Sequence, residues 1–141
     1  MTVSVDRLKK LTTDFFKLHW NSDELGSIPK WSEPWHLKGS APNHNRQGVY
    51  AFVRGNDVTY IGSGASKGKK GYEGHGLGAR LGQYVRVSGP GEYRPNDWKL
   101  ENADYVITLG FEQGFGYLTY ALESYLLSNI PTEHNANRPG S

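Results

Sequence analysis

The run from Gly48 to Ile61, GVYAFVRGNDVTYI, constrains the fold more than any other part of the chain. Two stretches rich in branched and aromatic side chains, residues 48–53 and 58–61, are separated only by Arg54-Gly55-Asn56-Asp57. Such side chains pack well on a pleated surface and favour extended backbone. Glycine beside asparagine, between charged residues, is turn chemistry, so the run predicts a β-hairpin. A lone hairpin is marginal in water, and the rest of the chain must supply what covers it.

The flanking segments read as cover. Val5, Leu8, Leu11 or Thr12, Phe15 and Leu18 recur at helical spacing with lysines opposite, predicting an amphipathic helix over residues 5–20. Pro29, Pro34, Gly39 and Pro42 make residues 21–47 mostly loop, with Trp31 and Trp35 placed to pin it to the core. Residues 62–76 hold six glycines and three lysines and read as a flexible loop. A second helix is predicted over 77–87, with Leu77, Leu81, Tyr84 and Val85 on one face, then a loop over 89–96. A third strand is predicted over 103–109, and a third helix over 116–128 that ends before Pro131. The expectation is one α+β domain of 141 residues, with a small three-stranded antiparallel or mixed sheet flanked by helices. Residues 48–135 form its core and residues 1–47 a helix-plus-loop extension.

Composition narrows the chemistry. The chain has no cysteine, which excludes disulfides and thiolate metal sites. His19, His36, His44 and His134 show no metal-ligand spacing, and no phosphate-cradling Walker or dinucleotide glycine pattern is present. No apolar run approaches the roughly 18 residues of a membrane span, and the N-terminus has no signal-like apolar core. A cytoplasmic protein is therefore expected. The net charge of +2 hides an asymmetry. Residues 63–86 carry Lys67, Lys69, Lys70, Arg80 and Arg86 against Glu73, a local +4, whereas residues 101–141 carry a local −4. A concentrated basic patch fits a polyanion, although a lysine-rich solvated loop would look the same.

Several side chains stand where chemistry is possible. Tyr50 and Tyr60 sit one on each arm of the hairpin and can share a sheet face, as can ordinary strand tyrosines. Arg80 and Tyr84 lie four apart beside an apolar stripe, so Arg80 should point toward the sheet and needs an anionic partner. Glu123, inside YLTYALESYLL, should be partly buried and needs a cation, either an arginine such as Arg80 or a metal ion. Asn135 and His75 read equally as turn and loop residues.

In this order the positions resemble the GIY-YIG nuclease superfamily. GVY and YIG stand at Gly48–Tyr50 and Tyr60–Gly62, LGARLGQYVR resembles the arginine helix, ALESYLL the metal-binding glutamate helix and PTEHN the closing asparagine segment. The tyrosine one turn after the arginine, Tyr84, is similar to the UvrC branch. The resemblance implies a metal-dependent endonuclease that hydrolyses DNA, with duplex as the expected substrate, and one Mg²⁺ or Mn²⁺ held by Glu123. It implies Arg80 gripping a phosphate oxygen and Tyr50 or Tyr60 serving the attacking water. Tyr84, Asn135 and His75 would be supporting groups, and Lys67, Lys69, Lys70 and Arg86 would contact nucleic acid. A phenol has an ordinary pKa near 10, so a basic Tyr50 would need depression by nearby cations. Ser63 stands where several members carry a lysine, and Lys67, Lys69 or Lys70 could fold back to replace it. The alternative is a DNA- or protein-binding module on the same scaffold that does not cleave.

Overall fold

The structure is a computed structural model that describes residues 3–66 and 75–132. Its elements run β1 (Val3–Ser4), α1 (Val5–His19), α2 (Ser22–Leu25), β2 (Gln47–Arg54), β3 (Asp57–Gly64) and α3 (Gly76–Leu81). They continue with β4 (Val85–Gly89), β5 (Glu92–Pro95), α4 (Trp98–Glu101), β6 (Tyr105–Phe111) and α5 (Thr119–Asn129). The main sheet has the order β1-β3-β2-β6, and β4 and β5 form a separate two-stranded sheet. Every pairing is antiparallel. The fold is a small α+β domain.

The hairpin forms as its sequence predicts. Only Gly55 and Asn56 lie between β2 and β3, and Gly55 has φ +63°, which glycine adopts without penalty. Asp104 closes that end by accepting from the Gly55 N–H at 2.7 Å. A bulge follows at once. Phe52 pairs with Tyr60 but Val53 with Val58, leaving Thr59 as the extra residue. The bulge restores the alternation that puts Tyr60 on the same face as Phe52.

β2 is central, and its two faces feed two cores. Val49, Ala51 and Val53 join Leu8, Leu11, Phe15 and Phe16 of α1 and Leu122, Leu126 and Leu127 of α5. Tyr50 and Phe52 join Tyr60, Leu77, Leu81, Tyr84, Leu100, Val106 and Trp35 on the other face. Substituting alanine for a buried phenylalanine such as Phe16 or Phe52 would cost about 3–5 kcal/mol.

Four expectations need correction. Among the described residues the main sheet has four strands, not three, because the segment before residue 48 takes part: Val3 pairs with Val58 and Ser4 with Asp57. Ser4 then turns directly into α1, its hydroxyl accepting from the Arg7 N–H at 3.1 Å as an N-cap. The helix predicted over 77–87 stops at Leu81, passes through a 3-10 turn at Gly82–Tyr84 and becomes β4. The predicted loop that follows is the β4–β5 hairpin, with Gly91 at φ +66° in its turn. Val85 and Val87 favour extension there, and a helix with glycine at 78 and 82 would gain little to oppose it. Within α1, Phe16 is buried where Leu18 was expected; Leu18 is 68% exposed. Trp31 and Trp35 do pin the long loop, bridging to Leu109 and Val106 of β6. Among the described residues no helix is long and apolar enough to cross a membrane.

Candidate functional site

Strand alternation builds the site. Tyr50 stands opposite Gly62, and Phe52 opposite Tyr60, so Tyr50 and Tyr60 are diagonal neighbours on one face. Their ring centroids are 6.2 Å apart. Gly62 makes room: a Cβ there would run into the Tyr50 hydroxyl. A second contact sets the neighbouring helix, because a Cβ on Gly64 or Gly76 would strike the other's carbonyl group. The end of β3 and the start of α3 therefore touch backbone to backbone. That contact, with the hydrogen bond from the Leu77 N–H to the Arg46 carbonyl, holds α3 over the tyrosine face.

From α3 and the turn after it come Arg80 and Tyr84. The Tyr84 hydroxyl lies 2.9 Å from that of Tyr50. The Arg80 guanidinium hydrogen-bonds Tyr50, donates to Gln83 Oε1 at 3.0 Å and lies 5.8 Å from the centre of the Tyr84 ring. Tyr50, Tyr60, Arg80 and Tyr84, expected from the sequence, thus meet in one cluster although they come from three separate segments of chain. The three phenols are buried, Tyr50 completely; Arg80 is half-buried and reaches the surface.

Burial decides the electrostatics. It raises the Tyr50 phenol well above its ordinary range, Tyr84 adds to the rise, and the Arg80 hydrogen bond offsets only part of it. Tyr84 is pushed up to about 12, again chiefly by burial. The hydrogen bond to Tyr50 also holds the Arg80 proton more tightly than usual. Arg80 by itself does not depress Tyr50 below its ordinary range; of the other cations expected to do so, Lys67, Lys69 and Lys70 lie outside the described residues. A cation within reach lowers a phenol, but loss of water around the phenolate costs more here.

Lys99 was not foreseen. Its ammonium lies 5.5 Å from the centre of the Tyr60 ring and 5.9 Å from that of Tyr84. It also sits 3.4 Å from Asp97 Oδ1, and its side chain is only 20% exposed. Asp97 caps α4 by accepting from the Lys99 N–H at 2.8 Å. The asparagine-aspartate pair before WKLE is a helix-start signal, which marks α4 but not where its lysine points.

Glu123 belongs to the opposite side of the sheet. It is 7% exposed on α5, among residues of the first core, and its Oε1 accepts from the Ser63 hydroxyl at 2.9 Å. Ser63 is adjacent to Gly62, so the carboxylate and the tyrosine cluster are joined through consecutive residues of β3 whose side directions oppose each other. A buried carboxylate beside a hydroxyl is a hard oxygen donor set, which suits Mg²⁺ or Mn²⁺. No cluster of three or more His, Asp or Glu side chains occurs among the described residues.

The remaining candidates are scattered. His75 precedes α3, with its ring 6.1 Å from that of His44. Arg86 is exposed on β4, directly opposite Arg94 of β5. Lys67, Lys69, Lys70 and Asn135 lie outside the described residues. Comparison with models of known families, with characterised proteins and with solved structures finds no match.

Proposed function

We propose that the chain is a metal-dependent endonuclease of the GIY-YIG type, hydrolysing phosphodiester bonds in DNA. What supports the reading is one observation: three phenols and a guanidinium, from separate segments of chain, converge on one buried cluster beside a second cation. Guanidinium and ammonium groups at the edge of a buried aromatic cluster bind an oxyanion strongly, because water screens them poorly there. Arg80 forks onto the non-bridging phosphate oxygens, and its bond to Tyr50 fixes the fork. The Tyr50–Tyr84 hydroxyl pair forms a path along which a proton from the attacking water can pass, and Tyr60 completes the wall. Burial keeps Tyr50 protonated near neutral pH, so the phenolate that accepts this proton is scarce and activity rises with pH. Glu123, with Ser63 beside it on the other face of β3, would hold one Mg²⁺ or Mn²⁺, and the ion would supply positive charge for the leaving oxygen.

The burial of Tyr50 favours a second reading, in which the phenols are only structural and the surface binds DNA without cutting it. Nicking of supercoiled plasmid separates the two. Relaxation that needs Mg²⁺ or Mn²⁺ and stops with chelator is expected of the nuclease. Tight DNA binding with no nicking under either metal is the signature of the module.

A further inference from the structure

A cavity of about 470 Å³ lies between α1 and residues 28–31, and the proposed reaction does not use it. Two indole bonds fasten the loop that walls it. Trp20 donates to the Gly26 carbonyl at 2.9 Å, and Trp31 to the Thr12 hydroxyl at 3.0 Å, so residues 27–30 run between two fixed points. The floor is apolar: Phe16 and Trp31 meet Ile28, which is 43% exposed. Phe16 belongs to the first core, so the cavity lies on the opposite side of the sheet from Tyr50.

Hydrogen bonding narrows what can enter. The Thr12 hydroxyl donates to the Leu8 carbonyl at 2.9 Å, and that of Thr13 to the Lys9 carbonyl at 3.0 Å. With the Trp31 N–H given to Thr12, the side-chain donors left over in the lining are the ammoniums of Lys9, Lys17 and Lys30. Among the described residues no carboxylate lines the cavity, and none of these three exposed lysines forms an ion pair. A volume of this order suits a small molecule. A sugar, base or peptide would bring polar groups that such a floor cannot satisfy. Hydrocarbon brings none. Lysine suits the rim, because its stem packs on apolar surface while its charged head stays in water.

We propose that this cavity binds a small amphipathic anion, its hydrocarbon body against Phe16, Ile28 and Trp31 and its carboxylate among Lys9, Lys17 and Lys30. The site does not depend on the nuclease reading, since none of its residues belongs to the tyrosine cluster.

Isothermal titration calorimetry of the full chain tests this, with octanoate, decanoate, decanol and decyltrimethylammonium, all below micelle-forming concentrations. Decanoate should bind at a single site. Each methylene added between octanoate and decanoate should tighten binding by about three- to fourfold. Decanol and the cation should bind about tenfold more weakly or worse, lacking the charge that the lysines attract. Combining Lys9→Gln, Lys17→Gln and Lys30→Gln should lower decanoate affinity by about 5- to 100-fold and leave decanol unchanged. Ile28→Ser should weaken both decanoate and decanol by about tenfold. All four positions are exposed, so melting temperatures without ligand should not move. No decanoate binding, equal binding of decanoate and the cation, or wild-type affinity in the triple lysine variant would each overturn the site. So would binding confined to phosphatidylglycerol vesicles, which would make this face a membrane contact. Plasmid nicking bears on none of these results, so the two readings stand or fall separately.

Discussion

The proton on Tyr50 is held by its surroundings: burial, the neighbouring phenol of Tyr84, and an arginine that offsets them only in part. A base whose pKa lies far above the working pH is ionised in proportion to hydroxide. The cleavage rate should therefore rise about tenfold per pH unit from neutral to about pH 9, without a plateau. Tyr50→Phe should lower the rate by about 10²- to 10⁴-fold and abolish that slope. A level profile, or a Tyr50→Phe protein of normal rate, would assign the proton to another group. Glu123 makes a different prediction. Glutamine at 123 keeps an oxygen for the Ser63 hydroxyl, so the fold should survive. The charge that holds the ion is lost, and Mg²⁺-dependent cutting should fall by more than the ~10- to 100-fold typical of losing a partner of a metal ligand. Binding of Mn²⁺, followed by electron paramagnetic resonance, should disappear with it. Retained binding would move the metal elsewhere.

At the scale of elements, the contact between Gly64 and Gly76 is the joint on which Arg80 turns. A methyl group at either position meets backbone, which cannot rotate away as a side chain can. Gly64→Ala should destabilise the protein by about 1–3 kcal/mol and impair cleavage as α3 shifts Arg80 from Tyr50. Urea unfolding and plasmid nicking check both halves; full stability and activity together would mean that the strand end and α3 separate freely. Strands and helices with strong periodicity are legible in the sequence: β2, β3, β6, α1 and α5 stand within a few residues of where their patterns put them. Tyr50 with Tyr60, and Arg80 with Tyr84, are legible as two pairs from strand register and a one-turn spacing, whereas the tertiary contact of Gly64 with Gly76 that brings the pairs together is encoded in no local pattern. β1 is not legible, since two residues carry no period. β4 and β5 are not, because Arg86, Val87 and Arg94 are exposed and only Val85 and Tyr93 pack against the second core, too few for a clear alternation. Lys99 reaches the site through tertiary packing of α4, which no local pattern encodes.

For the whole molecule, the raised phenols make stability depend on alkali. Tyr84 has a folded pKa of about 12 against about 10 in an unfolded chain. Its contribution is fully present below pH 10 and is lost as pH rises from 10 through 12, because the unfolded chain releases that proton first. Tyr50 acts in the same direction. Urea midpoints should hold steady up to about pH 9.5 and fall beyond it, and Tyr84→Phe should make the fall shallower. An identical alkaline decline in the variant would place the sensitivity in other groups. The same architecture has a consequence for insertion and deletion. Because β2 sends Tyr50 and Phe52 to one side and Val49, Ala51 and Val53 to the other, parity alone separates chemistry from scaffold. Loss of a single residue between Phe52 and Gly55 would slip the strand against its turn and exchange the two inventories, turning Tyr50 and Phe52 toward α1 and α5 and Val49 and Ala51 toward Arg80. The reading frame of this one strand, guarded by the two-residue turn at Gly55–Asn56 and the spare residue Thr59, is thus inherited as a unit, tolerant of many substitutions and of almost no change in length.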